Sequence, residues 1–166
     1  KGSSPRYKVS SHRFPGASRI PRSANGQIGE VVDLIHSPIH TAPLARIKFP
    51  DGDDILVVAT EGLSIGSSIA VGGNASIRPG NVTELSNIPE GTQINNLELR
   101  PGDGGKIART AGNSCSVESL LDNGRVRVRL PSGKLKELPG TCRATIGVLA
   151  GHGRSRFFRI HAVLRG

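Results

Sequence analysis

Glycine and proline interrupt this chain too often for helices of normal length to form. Its 166 residues include 22 Gly and 11 Pro, and no stretch of normal helix length carries an amphipathic 3.6-residue period. The intervals are short and rich in β-branched residues, as in "GQIGEVVDLI", "PLARIKF" and "ILVVAT". Such runs suit strands joined by tight turns. Leu, Ile, Val and Phe make up 44 residues, enough for a packed core. That core must be aliphatic, because the chain has no Trp, no Met, one Tyr and four Phe.

The first 25 residues hold few apolar side chains and are broken by Pro5, Pro15 and Pro21. They read as an extended arm, ordered against a partner. Regular structure is expected from Gly26. The three runs above, with two more strands placed around the Gly72–Gly73 turn of "SIAVGGNASIRPGN", make five short strands suited to a small closed barrel. A second set begins near Ile88 with "TQINNLEL", "KIART" and "SCSVESLL". In "DNGRVRVRLPSGKLKEL", Asp122-Asn123-Gly124 is a hairpin turn, and Pro131-Ser132-Gly133 turns the chain again. Between them Val126, Val128 and Leu130 face one way and Arg125, Arg127 and Arg129 the other. "ATIGVL" closes this second barrel, and the tail from His152 is basic, with Phe157–Phe158, and reads as either a short helix or an arm.

Charge is segregated along the chain. The net charge is +9. Residues 1–25 carry six cations and no acid, 26–99 three cations and nine acids, and 100–166 thirteen cations and four acids. Solubility does not require this separation; two basic contact regions for a polyanion do. Nucleic acid is the polyanion that fits, since no basic amphipathic helix is present to lie on a membrane.

Enzyme readings find no site. "GDGGK" lacks the phosphate-loop spacing: Arg100 occupies the first glycine position and Ile107 the hydroxyl position. His36 and His40 have a zinc-like spacing but no paired-cysteine partner, so a turn with two partly exposed histidines is expected. Asp51, Asp53 and Asp54 belong to a turn, and His12, His152 and His161 lie in basic segments without a nucleophile context. Cys115 and Cys142 are expected as reduced, buried thiols. With no apolar membrane span or signal region, the expectation is a soluble cytoplasmic protein. No catalytic residue, metal, cofactor, small-molecule substrate or membrane partner is expected.

The strongest local signal for binding is "RPGDGGKIARTAG", which sets four glycines among Arg100, Lys106 and Arg109. Glycine turns bring backbone N–H groups close to an anion, and the cations favour phosphate. Scarce aromatics argue against stacking on single strands. Folded RNA, read by shape, phosphate and 2′-hydroxyl, is the expected partner.

Several longer segments, "APLARIKF", "PGNVTELSNIPEGTQINNLELRPGDGGKIARTAGN", "VRLPSGKLKEL" and "CRATIGVLAG", occur in the order found in the universal large-subunit ribosomal protein L-two family in its archaeal form. The chain resembles that family from about Arg6 to Arg154. The resemblance implies an all-β fold of two small barrels, an OB-fold followed by an SH3-like barrel, with basic extended N- and C-terminal arms. On this reading 1–25 is the arm, 26–85 the OB-fold-like RNA-binding domain, 86–151 the SH3-like barrel and 152–166 the basic tail.

The resemblance also implies a structural protein of the large ribosomal subunit that binds its ribosomal RNA near the peptidyl-transferase centre. Support of subunit association and tRNA placement follows, beside neighbouring ribosomal proteins and in the cytoplasm. Arg100, Lys106 and Arg109 fall in the family's RNA-contacting loop, Lys134 in "PSGK", Arg143 in "CRATIG" and Arg13 in the arm. Arg6, Lys8, Arg19 and Arg22 of the arm, Arg127 of the arginine row, and Arg154 and Arg156 of the tail complete the expected RNA contacts. The family's opening Gly- and Arg-rich stretch and its later His-Pro-x-Gly-Gly-Gly segment are missing, so a form truncated at the C-terminal extension is expected, and no role passes to His152 or His161. The alternative is a free RNA-binding translation factor or RNA chaperone.

Overall fold

The computed structural model describes residues 15–20, 26–50, 52, 54–73 and 75–151. Ten strands account for its regular structure: β1 (Gln27–Ile35), β2 (Leu44–Lys48), β3 (Ile55–Val58), β4 (Ser68–Val71), β5 (Val82–Glu84), β6 (Gln93–Asn95), β7 (Cys115–Leu120), β8 (Arg125–Arg129), β9 (Leu135–Pro139) and β10 (Arg143–Ile146). One 3-10 turn follows β5 at Leu85–Asn87, and no α-helix occurs among the described residues. The all-β class is as expected.

Local alternation decides which face each strand buries. In β8, Val126 and Val128 are fully buried, whereas Arg125 and Arg129 are exposed, which is the period-two pattern of a half-buried strand. The hairpin turns lie where expected, at 122–124 before β8 and 131–133 before β9. Two expectations need correction. "SIAVGGNASIRPGN" holds one strand, β4, not two. Asn81 ties the following segment into an irregular loop, accepting from the Ala70 N–H (2.9 Å) and donating to the Ser76 carbonyl (2.9 Å). "KIART" makes only an isolated bridge, Leu97 to Ile107. Asn96 (φ 47°) and Ala108 (φ 51°), opposite each other at one end of it, leave the extended region.

The strands form one hydrogen-bonded sheet in the order β3-β2-β1-β4-β5-β10-β6-β7-β8-β9. All neighbours are antiparallel except β4 and β5, which meet through the single pair Val71–Val82. The last strand sits in the middle: β10 pairs with β5 on one side and β6 on the other. Two separate cores lie along this sheet. Val31, Ile47, Val57, Ile69 and Val71 anchor the first; Ile94, Val117, Val126, Val128 and Ala144 anchor the second. One open sheet thus carries two cores, one toward each end.

Between them Leu44 and Val58 of the first half pack with Leu149 of the second. Polar stitches reinforce this junction. Asn95 donates to the Thr60 hydroxyl (3.2 Å) and the Gly147 carbonyl (2.9 Å), and the Glu61 N–H donates to the Val148 carbonyl (2.8 Å). The described piece of the N-terminal segment crosses here too: the Arg19 N–H reaches the Leu56 carbonyl (3.0 Å) and the Ile20 N–H the Gly104 carbonyl (2.9 Å). The expected arm of residues 1–14 and 21–25, and the tail from residue 152, lie outside the described residues.

Candidate nucleic-acid interface

The glycine loop ends at this junction, and its backbone donors are already occupied. Glu98, 0% exposed, accepts from the N–H groups of Gly102 and Gly104 (both 3.1 Å). Asp103 accepts from those of Leu99 (3.2 Å), Arg100 (3.3 Å) and Gly105 (3.3 Å). The remaining donors go to carbonyls: Asp103 to Arg100 (3.1 Å), Lys106 to Leu97 (2.9 Å) and Ile107 to Leu97 (3.0 Å). Pro101 has no N–H. From residue 99 to 107 every backbone donor is therefore bonded within the protein. The expectation that bare loop N–H groups meet RNA phosphate is corrected: the anions they hold are the protein's own carboxylates.

This wrapping requires glycine. Gly102, Gly104 and Gly105 have φ of 77°, 85° and 87°, a region that side chains disfavour. At Gly105 a Cβ would also lie 2.5 Å from the Asn96 carbonyl oxygen and closer still to its side-chain oxygen. At Gly104 the atoms nearest a Cβ would be those of the flexible Arg19 stem, at 3.2 Å or more.

Arg143 closes the cage from β10. Its N–H donates to Glu98 Oε2 (2.9 Å) and its Nη2 to Oε1 (2.8 Å). Burial alone would raise the Glu98 carboxyl, but the Arg143 side chain and the N–H groups of Arg143, Gly102 and Gly104 outweigh it and bring the pKa below its ordinary 4.5. Asp103 behaves alike. Burial opposes ionisation there, while the N–H groups of Gly105, Arg100 and Leu99, with the charge of Lys106, lower its pKa.

The expected contact residues divide into three groups. Arg19, Arg100 and Lys106 are exposed around the loop. Lys106 lies 3.5 Å from Asp103, yet its side chain stays 59% exposed. Arg109 is half-buried and donates to the Ser18 carbonyl (2.8 Å) and the Gly105 carbonyl (3.3 Å). Burial, then the charge of Arg19, draws its guanidinium below the ordinary value. Arg109 thus fastens the extended segment at Ser18 to the loop. Arg143, expected to touch RNA, is 8% exposed; it braces Glu98 from inside.

Farther along, Lys134 is exposed between the 131–133 turn and β9. Arg127 pairs with Glu137 (2.8 Å) and Arg129 with Glu118 (2.6 Å). The arginine row is thus neutralised in part by glutamates of adjacent strands. Arg6, Lys8, Arg13, Arg22, Arg154 and Arg156 lie outside the described residues.

Sequence reasoning missed Glu98. Its signal was an acid directly before a glycine-rich, cation-flanked loop, masked by the alternation of "NLEL". Elsewhere, His40 accepts or donates a 3.0 Å hydrogen bond with the Ser37 hydroxyl, within the expected turn. Among the described residues no group of three or more His, Cys, Asp or Glu is placed to hold a metal ion. Cys115 and Cys142 are free and buried, as expected; burial pushes each thiol up to about 11.

Comparison with known proteins matches both halves. Residues 20–71 fit the family described as Ribosomal Proteins L2, RNA binding N-terminal domain, and residues 78–162 fit Ribosomal Proteins L2, C-terminal domain. Large ribosomal subunit protein uL2 of Methanothermobacter thermautotrophicus is 44% identical over 155 residues, covering 90% of this chain and 64% of that protein. The proteins of the same name from Natronomonas pharaonis and Haloarcula marismortui are 45% and 43% identical over 151 residues, each match covering 90% of this chain and 62% of the relative. The chain thus spans less than two thirds of the length of these relatives.

Proposed function

Because this chain belongs to the ribosomal protein L2 family, we propose that it is a structural, RNA-binding constituent of the large ribosomal subunit, working in the cytoplasm beside neighbouring ribosomal proteins. Residues 26–85 serve as its OB-fold-like RNA-binding domain and 86–151 as its SH3-like barrel, and the basic segments 1–25 and 152–166 add positive charge. Their lysines and arginines displace counterions from ribosomal RNA phosphates. The observation that carries this reading is the setting of Arg19, Arg100 and Lys106, exposed around a loop whose backbone is already bonded at the junction of both cores. Cations on a pre-set frame contact phosphates without ordering the frame on binding.

In its finer form the reading places the chain near the peptidyl-transferase centre. There it braces RNA, supports subunit association and helps place tRNA, while the chemistry belongs to the RNA. The test is sedimentation of a native cell extract at high salt, with each fraction probed for the chain. Stable co-migration with the large subunit is expected. Release into light fractions would overturn an integral role and favour an exchanging RNA-binding factor.

A further inference from the structure

We propose that Glu98 is a positioning residue for RNA: its carboxylate fills the loop's backbone nest, and so sets Arg100 and Lys106 before RNA arrives. The inference rests on the reading that these two side chains contact RNA phosphate. Consecutive N–H groups in a glycine-rich turn form a concavity suited to an anion. Left open, that concavity would take its anion from solvent or from RNA, and the loop would order only on binding.

Glu98 removes this dependence. Both of its oxygens are bonded, Oε1 to Gly104 and Arg143, Oε2 to Gly102 and Arg143. No part of the carboxylate is exposed, so it cannot itself meet RNA. Its reach is through the loop: Arg100 and Lys106 stand on either side of the two glycines that it holds. Asp103 secures the same turn from its outer side through Leu99, Arg100 and Gly105. Recognition at this loop is therefore a matter of side-chain charge on a fixed frame. Arg143, which anchors Glu98 from β10, transmits the sheet's rigidity to that frame.

A double-mutant cycle separates positioning from general stability. Affinity for in-vitro transcribed archaeal large-subunit ribosomal RNA is measured with Glu98→Gln, with Arg100→Ala/Lys106→Ala, and with all three. Glu98→Gln alone should weaken binding on the order of tenfold by loosening a pre-set loop. The same change should add little once Arg100 and Lys106 are gone. Equal weakening in both backgrounds, or none in either, overturns the positioning role. Should Arg100→Ala/Lys106→Ala by itself leave affinity unchanged, the RNA reading of the loop falls first.

If Glu98→Gln does not fold, Glu98→Gln/Arg143→Leu replaces it in the cycle, since exchanging both members avoids a lone buried charge. Amide exchange of the unmodified protein gives a readout free of any variant. Gly102 and Gly104 should be protected without RNA and change little on binding. Protection that appears only with RNA overturns the proposal.

Discussion

Glu98 and Arg143 lie 45 residues apart and meet as a buried pair, Oε1 to Nη2 at 2.8 Å. The pair links the glycine loop to the central strand of the sheet. Removing Arg143 alone strands a carboxylate in the interior. Arg143→Leu should therefore cost about 3–5 kcal/mol. Glu98→Gln/Arg143→Leu should cost much less, because no uncompensated charge remains. Urea denaturation of both variants checks the ordering; equal losses would mean that the charges contribute little.

Acid should loosen the same region. The Glu98 and Asp103 carboxyls titrate lower in the folded chain than their ordinary 4.5 and 3.8. Their contribution is present in full above those ordinary values. It is lost as pH falls through the lower folded pKa values, because the unfolded chain takes up the protons first. Melting temperature followed downward from pH 6 should show this decline, and Glu98→Gln should flatten it.

Two adjacent glycines should differ sharply. Gly105→Ala brings a Cβ against the Asn96 backbone at a φ of 87°, so a loss of at least about 2 kcal/mol is expected. Gly104→Ala carries similar φ strain, but the atoms nearest its Cβ belong to the movable Arg19 stem. Its cost should be smaller, about 1 kcal/mol. Thermal melts of the two variants decide the comparison.

Neither thiol should react in the folded protein. At pH 8 a buried thiol with its pKa near 11 holds almost no thiolate. Iodoacetamide should leave Cys115 and Cys142 unmodified under native conditions and label both in urea, as read by mass spectrometry. Rapid native labelling of either would show that the second core opens readily.

RNA affinity should depend less on salt once the exposed loop cations are removed. For each phosphate that Arg100→Ala/Lys106→Ala no longer neutralises, the log–log slope should fall by roughly 0.7–0.9. An unchanged slope would take this loop out of the interface. Arg109→Ala is the informative contrast: its bonds to Ser18 and Gly105 predict lower thermal stability as well.

Much of this protein is legible residue by residue. Alternation in "RVRVR" determines which face of β8 is buried, and Asp122-Asn123-Gly124 determines where the hairpin turns, because strand period and turn chemistry are local properties. Segregated charge likewise points to a polyanion partner without any fold. Tertiary structure decided the rest. The loop's glycines and cations fit an external phosphate as well as an internal carboxylate, and only the approach of Glu98 and Arg143 selects the second. Arg100 and Arg143 are the same residue type, yet one is exposed and the other buried. Composition sets how much charge a chain carries; the packing of β10 between β5 and β6 decides which of those charges face solvent, because burial and pairing depend on residues distant in sequence.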